Sequence, residues 1–173
     1  MSALYELVAN QQWQVATTHI QSLADGDAAD QIFHQSQYGN TAIMMHGMTA
    51  IMWACYLSAP LELVQQMITK AKLDSRKRCL LAITGNIRWT ALHWAAYSHS
   101  DPAVLSLLIQ EHPQALCATD VSGRTPLQLA RYSPAPIIAV LEVASAKLAV
   151  DDICVKFGVP PDVMLYEIFQ YLF

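Results

Sequence analysis

Apolar residues recur at three- and four-residue spacing along most of this chain, the period of helices that bury one face. Leu4 to Ala9 predicts a short helix and Asn10-Gln11-Gln12 a turn. Trp13, Ala16, Ile20 and Leu23 predict a second helix through about Ala24, stopped by Asp25-Gly26-Asp27. Gln11, Gln12, Gln14, Thr17, Thr18 and Gln21 give this pair a polar face, as the end of a stacked array requires.

The pattern then turns repetitive. Thr49-Ala-Ile-Met-Trp-Ala-Cys55, Thr90-Ala-Leu-His-Trp-Ala-Ala96 and Thr125-Pro-Leu-Gln-Leu-Ala-Arg131 share one order: Thr, small, aliphatic, variable, large apolar, Ala or similar. A proline follows each, at Pro60, Pro102 and Pro136, and then a second apolar run. Proline suits the first helical position, where its missing N–H would be unbonded anyway, and Asp101 before Pro102 is a good N-cap. Each unit therefore reads as helix, turn, second helix, and a hairpin-like connection to the next Thr. Gly39 to Met44 is echoed by Gly47 to Met52, so either Thr41 or Thr49 could open a helix. Only the second is followed by a Trp-Ala pair, which sets the helix start near Thr49 and leaves residues 37 to 46 to the preceding finger or loop.

Composition changes this picture little. Charged residues are 14% of the chain and apolar ones 54%, against about 25% charged in ordinary soluble domains. Two readings fit: a surface covered within a complex, or a Leu- and Ala-rich helical array. The net charge of -4 argues against a nucleic-acid binder held by phosphate contacts. Cys55, Cys79, Cys117 and Cys154 form no Cys-x-x-Cys and read as reduced thiols. The N-terminal residues carry no signal- or transit-peptide pattern, and the apolar window from Thr41 to Leu63 is interrupted by His46, Gly47 and Pro60. No membrane span is expected. The location expected is cytoplasm or nucleus, or an organelle if the chain is a processed one.

The three Thr-headed stretches resemble the helix-opening signature of the ankyrin repeat, T-P-L-H-x-A. The best copy is Asp120-Val-Ser-Gly123-Arg-Thr125-Pro-Leu127; the middle copy has Arg88 where Gly is usual. Thr49 to Thr90 spans 41 residues and Thr90 to Thr125 spans 35, against a family period of about 33, which implies insertions. The longer one, near Lys70 to Asn86, holds Lys70, Lys72, Arg76, Lys77 and Arg78, read either as a solvated helix end or as a basic docking patch or localisation signal. The resemblance implies an all-α solenoid: a cap over 1–36, repeats over 37–84, 85–119 and 120–149, and a helical capping or docking segment over 150–173.

For function the resemblance implies a non-catalytic module that binds other proteins on a concave face, as a small adaptor or as a subunit of a larger assembly. Its partner-contact positions fall on Met48, Trp89 and Arg124 in the fingers, on the ladder Tyr56, Tyr97 and Tyr132, and on the adjacent Leu57, Ser98 and Ser133. The tyrosines either meet a partner or pack between repeats. His93, in the family's His position, is expected to make inter-repeat hydrogen bonds, with Trp53, Trp94 and Leu129 in the core.

Beyond residue 149, Asp151-Asp152 are expected to cap a short helix around Ile153 to Phe157, ended by Gly158. The string Pro161-Asp-Val-Met-Leu-Tyr-Glu-Ile-Phe-Gln-Tyr-Leu172 is similar to the first helix of an F-box. That resemblance implies docking of a Skp1-type ubiquitin-ligase adaptor through Val163, Tyr166, Ile168, Phe169 and Leu172; the alternatives are a capping helix, or docking into another complex or a lipid-facing groove. Motifs for phosphate loops, serine hydrolases, zinc proteases and dinucleotide turns are missing, and the six histidines and four cysteines lack zinc-ligand spacing. No cofactor is expected.

Overall fold

Three buried or half-buried threonines set the helix starts. In the computed structural model, which describes residues 3–24, 27, 31–32, 48–72 and 87–157, the side chains of Thr49, Thr90 and Thr125 each accept a bond from the backbone N–H three residues on, at 3.4 Å. Such caps contribute about 1 kcal/mol apiece. They open α3 (Ala50–Tyr56), α5 (Ala91–Tyr97) and α7 (Pro126–Leu129), the last continued by a 3-10 turn over Ala130–Tyr132. The start near Thr49 is thus correct; residues 37 to 46, assigned to the preceding finger, lie outside the described residues.

The chain is a double row of helices. The first row is α1 (Ala3–Ala9), α3, α5 and α7; the second is α2 (Trp13–Ser22), α4 (Leu61–Lys72), α6 (Pro102–Glu111) and α8 (Ala135–Phe157). Within each row neighbours pack in sequence order, and each first-row helix also packs on the second-row helix that follows it. Leu4, Ile20, Ile51, Leu63, Met67, Leu92, Trp94, Leu105 and Leu141 fill the space between the rows. All regular structure among the described residues is helical.

The turns between rows need a left-handed residue. Gln11, Ser58 and His99 have φ of 56°, 54° and 61°. Around Gln11 and Ser58 the next N–H bonds back five residues, Gln12 to Leu7 at 2.9 Å and Ala59 to Ala54 at 2.9 Å, which closes the exposed carbonyls of α1 and α3. Ser100 does the same to Ala95 at 3.1 Å. None of the three is a glycine, so this shared bend was invisible to a search for Gly punctuation.

The prolines vary in position. Pro102 is the first residue of α6, with Asp101 accepting from the Ala103 N–H at 2.8 Å. Pro60 instead precedes α4, its carbonyl receiving Leu63 and Val64, and Pro134 takes that place before α8, leaving Pro136 second. All these positions lack a required intrahelical N–H bond, so proline fits each. One expectation is corrected. Asp151 and Asp152 cap no new helix, because α8 runs unbroken for 23 residues. No Gly or Pro stands between Pro136 and Gly158, and Ala, Leu and Lys favour continuation. The described part of α8 reaches Phe157; Gly158, the expected stop, lies outside the described residues.

Candidate protein-binding surface

The connection between the second and third units is built around Asp120. Its carboxylate is buried and accepts from the backbone N–H groups of Ser122 (2.8 Å) and Arg124 (2.9 Å), and from Arg124 Nε (2.9 Å) and Nη2 (2.8 Å). The fifth donor is Trp89 Nε1, from the preceding unit, at 3.3 Å. Burial alone would raise the carboxyl's pKa, but the bonds from Arg124, Ser122 and Trp89 outweigh it and bring it down to about 2. Gly123 turns this finger at φ 77°, and the Val121 N–H reaches the Ile87 carbonyl of the neighbouring finger at 3.3 Å. The equivalent bend in the neighbouring finger is made by Arg88 at φ 57°, so an arginine occupies the left-handed geometry that glycine adopts freely.

His93 ties the same two units. Its Nδ1 accepts from the Thr90 N–H at 3.2 Å and the Thr90 hydroxyl at 2.8 Å, which leaves Nε2–H to donate to the Arg124 carbonyl at 3.3 Å. The two bonds to Nδ1 need the neutral ring, and burial, chiefly, lowers its pKa below 6.5, although the bond to the Arg124 carbonyl works the other way. The inter-repeat bond expected of this histidine is present. In the third unit Gln128 makes only the local half, its Oε1 accepting from the Thr125 N–H at 2.9 Å.

The finger positions expected at a partner surface divide. Met48 and Trp89 are buried, at 0% and 4% exposure, whereas Arg124 stands half in water. Trp89 turns inward because Asp120 holds its indole N–H and the Trp94 and Tyr97 rings meet it at steep angles, with centroid distances of 4.6 and 5.2 Å. Ser98 and Ser133 are also spoken for. Ser98 Oγ donates to the Cys55 carbonyl at 2.8 Å, joined there by Ser100 Oγ at 2.7 Å, and Ser133 Oγ donates to the Ala96 carbonyl at 3.2 Å. Cys55 and Ala96 occupy the same place in successive units, so these hydroxyls form one repeated inter-unit bond. Two serines at the same offset from Thr90 and Thr125 were its sequence signal. Leu57 is half-buried.

The three tyrosines are graded along the row. Tyr56 is half-buried between Trp53 and Trp94, with ring centroids at 5.4 and 5.3 Å. Tyr97 is 47% exposed and tilted against Trp89, and Tyr132 is 88% exposed, with the Arg131 guanidinium 5.8 Å from its ring centre. Of the apolar residues expected in the core, Trp94 is fully buried; Trp53 and Leu129 are half-buried and lean on it. Cys55 is buried, and burial pushes its thiol up to about 12, so it is an inert core residue. Lys70 Nζ reaches back to the Leu23 carbonyl at 3.2 Å, joining α4 to the end of α2. Arg76, Lys77 and Arg78, and the tail residues Val163, Tyr166, Ile168, Phe169 and Leu172, lie outside the described residues.

A double row of helix pairs joined by fingers, with equivalent hydrogen bonds between successive units, defines a repeat-built binding module. A family model for ankyrin repeats, in three copies, matches residues 51–144. That is more than half the chain, and the chain belongs to the ankyrin-repeat family. Such repeats are protein–protein interaction modules. No curated protein matches the sequence. Among the described residues, no helix is long and apolar enough to cross a membrane, and no three His, Cys, Asp or Glu side chains gather where a metal ion could sit.

Proposed function

We propose that this chain is a non-catalytic adaptor or assembly subunit that captures a protein through its first-row face, at Tyr56, Leu57, Tyr97, Tyr132 and Arg124. The observation that carries the reading is the pair Tyr97 and Tyr132, large amphipathic side chains left in water while Trp89 and Asp120 are buried and bonded to each other. Rigid aromatic side chains of this type anchor interfaces at little entropic cost. Met48, Trp89, Ser98 and Ser133 belong to the framework beneath that face. The test is co-purification at low salt followed by mass spectrometry. A subunit retained by the native protein and lost from Tyr132→Ala, with the melting curve unchanged, supports the reading. Retention of every partner by Tyr97→Ala and Tyr132→Ala together would sink it.

The F-box-like string at 161–172 supports a second reading, a ubiquitin-ligase substrate adaptor. Pull-down of a Skp1-type protein that depends on residues 159–173 would favour it over a simple cap.

A further inference from the structure

Helix α8 outruns the repeats it packs against. It is 23 residues long, against 10 for its neighbour α6. Ile137, Leu141, Ala144 and Leu148 share its inner face and pack on the core. Val155 falls on that same face, about five turns on from Ile137, yet it is 84% exposed. The last turns therefore lie beyond the repeats. Cys154, in those turns, is only 4% exposed, although it stands apart from the core cluster. Its cover is not the repeat core.

Cys154 belongs to a second stripe. Val143, Lys147, Val150 and Cys154 recur at alternating four- and three-residue spacing, which sets them on one side of α8. Such spacing is the seam along which one helix receives another. At its start the stripe borders an open groove of about 450 Å³ between α6 and α8, lined by Ile109, Val140, Val143, Ala144 and Lys147. Val143 is 70% exposed there.

The chain carries a segment that fits this stripe. After Phe157, Gly158, Pro160 and Pro161 interrupt the helical pattern. Leu165, Ile168 and Leu172 then recur at three- and four-residue spacing, with Glu167 and Gln170 on the opposite side of the predicted helix. The short connector 158–160 suits two antiparallel helices. As a helix, residues 161–172 would span about 18 Å, enough to run back from the end of α8 to Lys147. In that register Leu165 meets Cys154, Ile168 meets Val150, and Leu172 meets Lys147 at the mouth of the groove. We infer that residues 161–172 dock as an antiparallel helix on the Val143–Cys154 side of α8, covering Cys154 and holding the F-box-like face in cis. This docking is independent of the tyrosine face. It makes Ile168 and Leu172 unavailable to a Skp1-type adaptor until the segment leaves α8.

Iodoacetamide labelling of the full chain, followed site by site by mass spectrometry, tests this. Exposed Cys117 should label, and Cys154 should stay protected. Ile168→Asp and Leu172→Asp should each raise Cys154 labelling at least about tenfold, since a buried thiol is inert and an exposed one reacts. Gln170→Asp, on the opposite side, should leave it protected. Cys55, fully buried in the first repeat, should stay unlabelled throughout, which shows that the repeats remain folded. Cys154 equally protected in all three variants would overturn the inference in favour of another cover, such as residues 73–86. Disulfide formation gives a second measurement that does not depend on undocking the segment. Under mild oxidation Leu165→Cys should bond to Cys154 of the same chain, and Gln170→Cys should not. A bond between two chains instead would overturn the inference in favour of a dimer through α8. A Skp1-type protein retained by the native chain should expose Cys154 to label in the complex. Retention with Cys154 still protected would overturn the cis docking and leave the F-box-like reading standing; the expected labelling without retention would do the reverse.

Discussion

The second and third repeats share a sequence pattern and differ in what lies against them. His93 in the second bridges to the Arg124 carbonyl; Gln128 in the third bonds only its own cap. Ala96 is buried at the position where Arg131 is exposed. Leu92 is 1% exposed, whereas its equivalent Leu127 is half-buried and lines the open cleft with Arg131. The first repeat agrees with the second, with Cys55 at the small position, fully buried. A position six residues after the Thr is therefore small where another repeat stacks on it, and charged in the third repeat, where it is exposed. An end repeat needs that polar face to stay soluble.

Exchanging residues between the two repeats should break the comparison most sharply. Ala96→Arg forces a guanidinium into a packed interface between helices, and should cost at least about 3–5 kcal/mol. With only about 5–15 kcal/mol holding a typical domain, a cooperative far-UV melt at the native temperature would refute the stacking argument. Trp94→Ala should follow at about 3–5 kcal/mol in urea titration, and Leu129→Ala at about half that or less, since Leu129 is only half-buried. Equal losses would mean that the two repeats are equally well packed.

The Asp120 hub sharpens the comparison at the joint. Its carboxyl lies at about 2, below the ordinary 3.8, so the folded state holds fewer protons than the unfolded one between those values. Stability from this group is complete above about pH 4 and is lost as pH falls towards 2, about 2 kcal/mol in all. Asp120→Asn should remove that acid-dependent loss from urea midpoints measured across the window. Native-like pH dependence in the variant would assign it to other carboxyls. His93 acts higher on the scale. Its folded pKa is lowered from 6.5, so acidification protonates the unfolded chain first, and stability drops as pH falls from about 6.5. His93→Gln should flatten that slope while keeping the local cap, as Gln128 already does. The smallest effect is expected for Arg131→Ala, within about 0.5 kcal/mol; a larger loss would show that the end face is covered.

The repeat units were legible because their determinants are local. A threonine N-cap, a small residue after it and an apolar stripe act within one turn of helix, and Thr49, Thr90 and Thr125 do in the structure what the pattern predicts. The expected His93 bond was legible through the family resemblance. The binding face was less so. The family resemblance placed Met48 and Trp89 with Arg124, although the first two are buried. Whether a finger side chain turns in or out depends on the partners the fold gives it, for Trp89 the Asp120 carboxylate 31 residues on and the rings of Trp94 and Tyr97, and no periodicity encodes that. Ser98 and Ser133 looked like surface residues for the same reason: their acceptors belong to the preceding repeat.

The sequence by itself determined the unit: which residues cap, which helices pair, and that the pairs stack, since each rule operates over a few residues of contiguous chain. Only the tertiary structure decided the grading of the tyrosines from half-buried Tyr56 to solvated Tyr132, the five-donor saturation of Asp120, and the left-handed bend forced on Arg88. These depend on what a neighbouring repeat presents across a packed interface, and burial is a property of that assembled surface rather than of any stretch of chain.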